Sequence, residues 1–541
     1  ALKMIDSIPD DVDLVRDSVR DRVLWLATSI VNHANNVRPN SDGIKVGGHQ
    51  SSSASSVAIL SALFFEVMGR EDRIAIKPHA SPVFHAIQYL LGNLDESYLE
   101  RFRAYGGLQA YPSRTKDPEI VDFSTGSVGL AGPAASFGAL TRDYLETHGL
   151  EPASSRFYAH LGDAEMDEGS MWEAVIEPAL NGVDRCTWVV DVNRQSLDRV
   201  VPGIRVRQFS DMLEANGWTT FTAKYGDRLT ELMERPGGKA LKVRIDDMSN
   251  EEYQGLLVSG PSELRSRLLD GSGKDRNELK RCFTDVDDDE LYERITNLGG
   301  HDVGYLARLL KEAAETDGST AVFAYTVKGW GLQSAADPRN HASTLTPEQF
   351  DQLAEATGRS AKNPWERFTE DSLEHEYIEA AVKRLGIRDT SSEPPLRFND
   401  AHISIPNVAS TQDAFGRMLL ELDRTSPESA GRVVTTSADV ATSTGLSSWI
   451  NRTSVWARHE DPDYLGFGER LLKWIPAPSG RHIELGLSEM NMFLLLSQLG
   501  LSDRTSGKRL IPIGTVYDPF IARGTDALIN GLYQESRFIL V

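Results

Sequence analysis

Apolar residues between positions 13 and 35 (Val15, Val19, Val23, Leu24, Leu26, Ile30, Val31) recur at the spacing of one helix face and predict an amphipathic opening helix. A second apolar helix, running through Phe65, starts after Gly47-Gly48-His49-Gln50-Ser51-Ser52-Ser53-Ala54. Further along, the pattern becomes strand-like in Arg156-Phe157-Tyr158-Ala159-His160-Leu161 and again in Cys186-Thr187-Trp188-Val189-Val190-Asp191-Val192, with a helix-compatible segment over about 168–181 between them. A crossover of that length makes the two strands parallel and neighbouring. Gly162-Asp163-Ala164-Glu165 and Asn193-Arg194-Gln195 then share the carboxyl edge of one sheet, where open α/β folds bind ligands. Strand-like runs continue at 217–223, 241–245 and 321–327, around a polar stretch at 246–300 whose acidic run 285–289 reads as a solvated surface.

From about 358 to 406 the composition loosens, with prolines at 364, 394, 395 and 406 and the polar run Asp389-Thr390-Ser391-Ser392-Glu393. A second α/β segment starts near Ser410, with a helix to about Leu422 and a strand over 432–436, and the chain closes on Arg537-Phe538-Ile539-Leu540-Val541, which reads as a core strand. The pattern therefore predicts an α/β chain with a first domain over 1–345, a linker region over 346–408 and a second domain over 409–541 that stops before completing itself.

At 541 residues the chain has room for two or three domains, and its 40% hydrophobic content is ample for their cores. A formal net charge of -22 argues against nucleic acid or an anionic membrane as the main partner, since both would be repelled. The two cysteines, Cys186 and Cys282, have neither metal-type nor disulfide-type spacing, which fits a reducing cytoplasm. No apolar run reaches membrane-spanning length, and Ala1-Leu2-Lys3-Met4-Ile5-Asp6 lacks a secretory apolar core.

The sheet edge carries the first candidate chemistry. Asp163 offers a carboxylate, Asn193 an amide oxygen and the Gln195 region a further carbonyl, a hard oxygen set suited to Mg²⁺ or Ca²⁺ completed by phosphate and water. The small residues Gly162 and Ala164 let a phosphate approach amides at a helix start. The same letters also suit a helix cap at Asp163 and a turn at Asn193. Two histidines are candidate acid–base groups: His49 at a helix start and His79 in Lys77-Pro78-His79-Ala80-Ser81-Pro82, a strand end feeding a helix. His85 reads as structural. A Gly-rich loop, Ser124-Thr125-Gly126-Ser127-Val128-Gly129-Leu130-Ala131-Gly132-Pro133, would bring backbone close to a ligand. In Glu484-Leu485-Gly486-Leu487-Ser488-Glu489-Met490-Asn491-Met492, Ser488 suits a helix cap and Glu489 the first turn.

Gly162-Asp163-Ala164-Glu165, closed 193 − 163 = 30 positions later by Asn193, resembles the thiamine diphosphate motif, with Ala164 in place of its usual final glycine. The longer run Gly162-Asp163-Ala164-Glu165-Met166-Asp167-Glu168 resembles the pyruvate dehydrogenase first component of the homodimeric type, in the transketolase-like superfamily. Asn193-Arg194-Gln195-Ser196-Leu197-Asp198 is similar to that family's second metal-binding strand end, Ser437-Ala438-Asp439 to the strand end opening its pyrimidine-binding domain, and the segment around Glu489 to the one carrying its cofactor-activating glutamate.

The resemblance implies a transketolase-like thiamine diphosphate-binding fold with two parallel-sheet domains, the third domain of related enzymes being absent from this chain. It implies thiamine diphosphate and Mg²⁺, with Asp163, Asn193 and Gln195 on the metal. Cofactor contacts are expected from Gly162, Asp163, Ala164, Glu165, Asn193, Gln195, Ser52, Val128 and Glu489, and from Phe520 against the pyrimidine. Glu489 would protonate the aminopyrimidine, and His49, His79 and His341 would handle protons on substrate; Lys77 stands where an uncharged polar residue is expected. The implied activity is decarboxylation of a pyruvate-like 2-oxo acid with transfer of the acyl unit to an acceptor such as the lipoyl group of an acyltransferase. A transketolase-like transferase without a lipoyl partner and a catalytically silent subunit are the alternatives. A homodimer or larger assembly with the cofactor between subunits is expected, along with a separate chain as one source of the missing carboxyl-terminal region.

Overall fold

Five parallel strands form the first sheet: β1 (Arg73–Ile76), β2 (Phe157–Gly162), β3 (Cys186–Val192), β4 (Thr219–Ala223) and β5 (Ser319–Tyr325), in the order β1-β2-β3-β5-β4. All seven residues of the central strand β3 are buried, as expected of a parallel strand covered on both faces. A second all-parallel sheet holds β6 (Val433–Ala438), β7 (Val455–Trp456), β8 (Pro476–Ala477), β9 (His482–Leu485), β10 (Ile511–Thr515) and β11 (Ile539–Leu540), in the order β11-β10-β6-β9-β7-β8. The α/β class with two parallel sheets is thus the one expected from the sequence. The structure is a computed structural model and describes residues 12–41, 43–150, 152, 154–195, 205–337, 339–388, 393–460 and 474–541. The starting residues 1–11, Ser196 to Asp198 of the second metal-binding segment, and Asp389 to Ser392 of the polar run lie outside the described residues.

The helices that frame the site are α1 (Val12–Asn32), α2 (Gln50–Ala54), α3 (Ser81–Leu90), α4 (Ala131–Thr147), α5 (Gly169–Val175), α6 (Gly238–Asp246), α7 (Leu373–Leu385), α8 (Glu489–Gly500) and α9 (Thr525–Tyr533). Helix α8 buries every residue except Met490, and it packs on α4 and α5 of the first domain. A helix apolar on all sides needs neighbours all round, so α8 joins the two domains through one continuous core. Among the described residues no helix is long and apolar enough to cross a membrane.

Three expectations are corrected. Residues 241–245 are not a strand but part of α6: Leu241 and Ile245 are four apart and bury on one face, a spacing that five residues alone do not separate from a short apolar strand. The carboxyl-terminal β11 is an edge strand paired only with β10, and Ile539 is 47% exposed, so it is not a core strand. Within the loose stretch, α7 buries Ile378 and Ala381 against α1 and the Leu63–Val67 turn, because its apolar residues recur at helical spacing despite the polar composition around them.

His85 is structural, as expected. Its imidazole pairs with Glu119 in the interior, and both side chains are fully buried. Burial disfavours the charged imidazole, but the Glu119 carboxylate and its hydrogen bond outweigh that and raise the His85 pKa. Burial likewise works against the Glu119 carboxylate, and His85 brings it below its ordinary value. The His85 share of the stabilisation is complete below its ordinary pKa of 6.5 and is lost as pH rises through the raised one. The Glu119 share is present above its ordinary 4.5 and is lost as pH falls through the lowered one. His85→Leu leaves Glu119 buried and unpaired, so a loss of about 3–5 kcal/mol is expected at pH 6. Thermal unfolding across pH checks this, and an unchanged midpoint would remove the pair from the stability account.

Candidate active site

Three imidazoles converge beyond the carboxyl edge of the first sheet. His49 immediately precedes α2, His79 lies in the turn Pro78–Ala80 after β1, and His341 comes from the loop after β5. Their ring centroids are 4.2 Å (His49 to His79), 5.0 Å (His49 to His341) and 5.1 Å (His79 to His341) apart. The local backbone explains the placement of His49. Gly48 has φ +141°, and a Cβ there would meet Val31 Cγ1 of α1 at 2.5 Å, so only glycine lets the chain cross α1 on its way into α2. Ser53 Oγ then donates to the His79 carbonyl at 2.7 Å and ties α2 to the turn after β1.

Burial, then the His341 imidazole and the Arg103 and Lys328 cations, push the His49 pKa down to about 3. Burial, then His49, Lys77, His341 and Lys328, take His79 to about 2. Both rings are therefore neutral at physiological pH, each able to donate one hydrogen bond and accept another. The facing nitrogens of the three rings lie within 4.8 Å of one another, a spacing that could also suit a metal ion. The flanking cations decide against that: the Lys328 ammonium stands 3.3 Å from His341 Nδ1, and Arg103 bears on His49. Such surroundings favour an anion such as a substrate carboxylate. Tyr111 closes one side, its ring 5.9 Å from His79 and 6.3 Å from His49.

At the ends of β2 and β3 the second group assembles. The register sets Gly162 opposite Asp191, so Asp163 and Asn193 leave adjacent strands at neighbouring levels. Asp163 Oδ2 accepts from the Arg194 amide at 2.8 Å, and Asn193 Oδ1 from the Gln195 amide at 3.0 Å, with Arg194 at φ +61° turning the chain between them. Gln195 donates through Nε2 to Gln254 at 2.7 Å, while its Oε1 is buried with no partner among the described residues. Burial first, and the Asp191 carboxylate second, push the Asp163 pKa up to about 7. An all-oxygen donor set holding a buried carboxyl and an orphaned amide oxygen fits a hard divalent cation, which would supply the missing positive charge. Ala164 has negative φ within the turn Asp163–Asp167, so the change from the motif's glycine introduces no backbone strain.

Glu165, Val128 and Ser52 are further residues expected to touch the cofactor. Both carboxylate oxygens of Glu165 are taken by backbone amides, Gly162 at 2.9 Å and Gly129 at 3.3 Å, so this side chain holds the Val128 loop to the strand end. Gly129, at φ +86°, has no room for a Cβ, which would meet Glu168 Cβ at 2.5 Å. Val128 is exposed, and Ser52 is buried within α2. Lys77 does not face the histidines: its ammonium pairs inward with Asp191.

The second domain presents Glu489 as the first residue of α8, only 5% exposed. Arg523 Nη1 donates to its two oxygens at 3.3 and 3.5 Å, and the same guanidinium lies 4.3 Å from the centre of the Phe520 ring. Across from α8, Glu177 accepts from Ser488 Oγ at 2.7 Å, Asn491 Nδ2 at 3.1 Å and the Gly486 amide at 3.2 Å, clamping the start of α8 to the first domain. Burial raises the Glu173 pKa, and the Glu489 and Glu177 charges add to the rise. Among the described residues, no contact joins Glu489 or Phe520 to the three histidines or to Asp163 of the same chain.

Lys328, Arg103, Tyr111, Glu177 and Asp191 are site residues that the sequence does not single out. Asp191 carries a usable signal, a lone charge within an otherwise uncharged strand run, because such charges are seldom buried unpaired. Arg103, Tyr111 and Glu177 carry none, since loops bring them in from distant positions.

No family model matches the sequence. The pyruvate dehydrogenase E1 component of Corynebacterium glutamicum is 27% identical over 581 aligned positions, covering 99% of this chain and 61% of the relative. That of Escherichia coli K12 is 29% identical over 399 positions, covering 70% of this chain and 44% of the relative. The chain thus spans about half to three fifths of these curated relatives. Among solved structures, the transketolase of Pichia stipitis in complex with sedoheptulose-7-phosphate superposes with a TM-score of 0.65 at 16% identity, covering 97% of this chain and 68% of the other. The transketolase of Leishmania mexicana gives a TM-score of 0.63 at 17% identity, with 97% and 68% covered. The chain is similar to the pyruvate dehydrogenase E1 component of Corynebacterium glutamicum along nearly its whole length, and its fold is that of transketolases.

Proposed function

We propose that this chain forms the cofactor-binding part of a thiamine diphosphate- and Mg²⁺-dependent enzyme that decarboxylates a pyruvate-like 2-oxo acid and passes the acyl unit to an acceptor such as a lipoyl group. The observation that carries this reading is one sheet edge that holds both an oxygen-only corner at Asp163 and Asn193 and a cluster of imidazoles flanked by Lys328. Thiamine diphosphate, when bound, supplies the electron sink that decarboxylation of a 2-oxo acid requires. Asp163, Asn193 and Gln195 would hold the metal, which would supply the positive charge that a diphosphate needs. Lys328 and Arg103 draw the substrate carboxylate towards the histidines, and neutral His49 and His79, together with His341, exchange protons with substrate oxygens. Glu489 is the acid–base partner of the aminopyrimidine.

Among the described residues, neither Glu489 nor Phe520 hydrogen-bonds to or stacks on Asp163, His49 or His79, which supports a site completed by the Glu489 edge of a second subunit. This supports a homodimer or a larger assembly. The similarity to transketolases keeps ketol transfer without a lipoyl partner as the second reading. Calorimetric titration of the assembled protein with thiamine diphosphate and Mg²⁺ should give saturable binding, followed by carbon dioxide release from pyruvate. Ketol transfer between sugar phosphates without carbon dioxide release selects the second reading; no heat of binding selects a catalytically silent subunit.

A further inference from the structure

Asp191 is the only charged residue of β3, and its carboxylate is a meeting point of separate segments. Oδ2 accepts from Ser55 Oγ at 2.6 Å and from Ser56 Oγ at 3.4 Å, and it pairs with the Lys77 ammonium. Oδ1 accepts from the Thr326 hydroxyl, and Lys77 Nζ also donates to Ser55 Oγ at 3.4 Å. Each partner stands close in sequence to a group of the site: Ser55 six residues after His49, Lys77 two before His79, Asp191 two before Asn193, and Thr326 two before Lys328. The chain reaches this point from β3 and from the segments just after β1, β5 and α2, which are also joined by the Ser53 Oγ–His79 carbonyl and Thr187–Thr320 hydroxyl hydrogen bonds but meet on a single charged group at Asp191. Apolar packing fixes volume, whereas hydrogen bonds to one carboxylate also fix direction.

We propose that Asp191, neutralised by Lys77, is the positioning residue of the active site, one buried carboxylate that sets the register among the segments carrying His49, His79, Asn193 and Lys328. The proposal rests on the cofactor reading given above and deepens it. It also accounts for Lys77 standing where an uncharged residue was expected. A carboxylate buried in β3 needs a counter-charge, and β1 is near enough in the sheet to deliver one from its carboxyl end. The Lys77 charge bears on His79 and Asp163 alike, so the pair lies between the two halves of the site.

The test uses the assembled protein with Lys77→Gln, Asp191→Asn, the double variant, and Leu310→Ala as a core control remote from the site. Each single variant is expected to lower kcat by about 10- to 100-fold, the scale of a 1 Å misplacement. Each should also raise the calorimetric Kd for thiamine diphosphate at saturating Mg²⁺ by about tenfold, in line with the loss of a supporting contact to a metal site. Leu310→Ala should lower the melting temperature while leaving both values near wild type. The double variant, which restores charge balance and keeps the hydroxyl contacts, should recover kcat and Kd to within about threefold of wild type. Single variants that melt earlier yet bind and turn over like wild type overturn the proposal, as does a double variant no better than the worse single. A crystal structure of cofactor-free Asp191→Asn gives a readout independent of the cofactor. Displacement of His49, His79, Asn193 and Lys328 relative to one another by about 1 Å is expected, and unchanged positions overturn the proposal. If wild type takes up no thiamine diphosphate, the cofactor reading fails, and the crystallographic comparison still decides the positioning claim.

Discussion

Asp163→Ala is expected to remove binding of thiamine diphosphate and Mg²⁺ from the calorimetric range, an affinity loss above about 100-fold. Loss of an outer-shell partner alone costs about 10- to 100-fold in metal affinity, and a ligand contributes more. Asp163 is the one carboxylate among the three proposed ligands, so no neighbouring oxygen replaces its charge. What the alanine gives up in the cofactor-free protein is small. The side chain accepts an amide hydrogen bond from Arg194 at 2.8 Å, of the order of 1 kcal/mol, while its burial next to Asp191 disfavours ionisation. The variant should therefore melt within a few degrees of wild type without cofactor and lose the rise in melting temperature that ligand gives wild type. Undiminished cofactor affinity in Asp163→Ala would falsify the metal assignment.

Glu489→Gln is expected to lower kcat by about 100- to 10,000-fold, the range for removing a positioned acid–base group. The amide is isosteric, keeps an oxygen for the Arg523 guanidinium, and leaves the Glu177 clamp on Ser488 and Asn491 untouched, so α8 keeps its anchorage. Cofactor Kd should change by less than about threefold, since the substitution removes a transferable proton and leaves the space filled. Carbon dioxide release from pyruvate under saturating cofactor measures the first quantity and calorimetry the second. Turnover within tenfold of wild type would show that another group protonates the aminopyrimidine.

The legibility of the site followed the range of the interactions that build it. Asp163 and Asn193 were readable because a strand, a helix and a strand are local, and a right-handed crossover leaves little choice about where their ends meet. Glu489 was readable because the motif around it is contiguous. The three histidines come from positions 49, 79 and 341, and only their attachment to strand ends and helix starts hinted that they would meet. Glu165 shows the opposite case. It lies inside the motif, yet the fold turns both its oxygens onto the amides of Gly162 and Gly129.

Alone, the order of residues decided the parallel sheets and the position of Asp163 and Asn193 at one carboxyl edge, because both depend on hydrophobic period and short-range spacing. The tertiary structure decided that α6 is a helix where a strand was expected and that β11 lies at a sheet edge. It also decided that Lys77 turns inward to Asp191, and that Lys328, Arg103 and Tyr111 surround the histidines. These outcomes depend on which distant segments pack together, and the free energy that selects among them is the burial of a whole core, a quantity no local window contains.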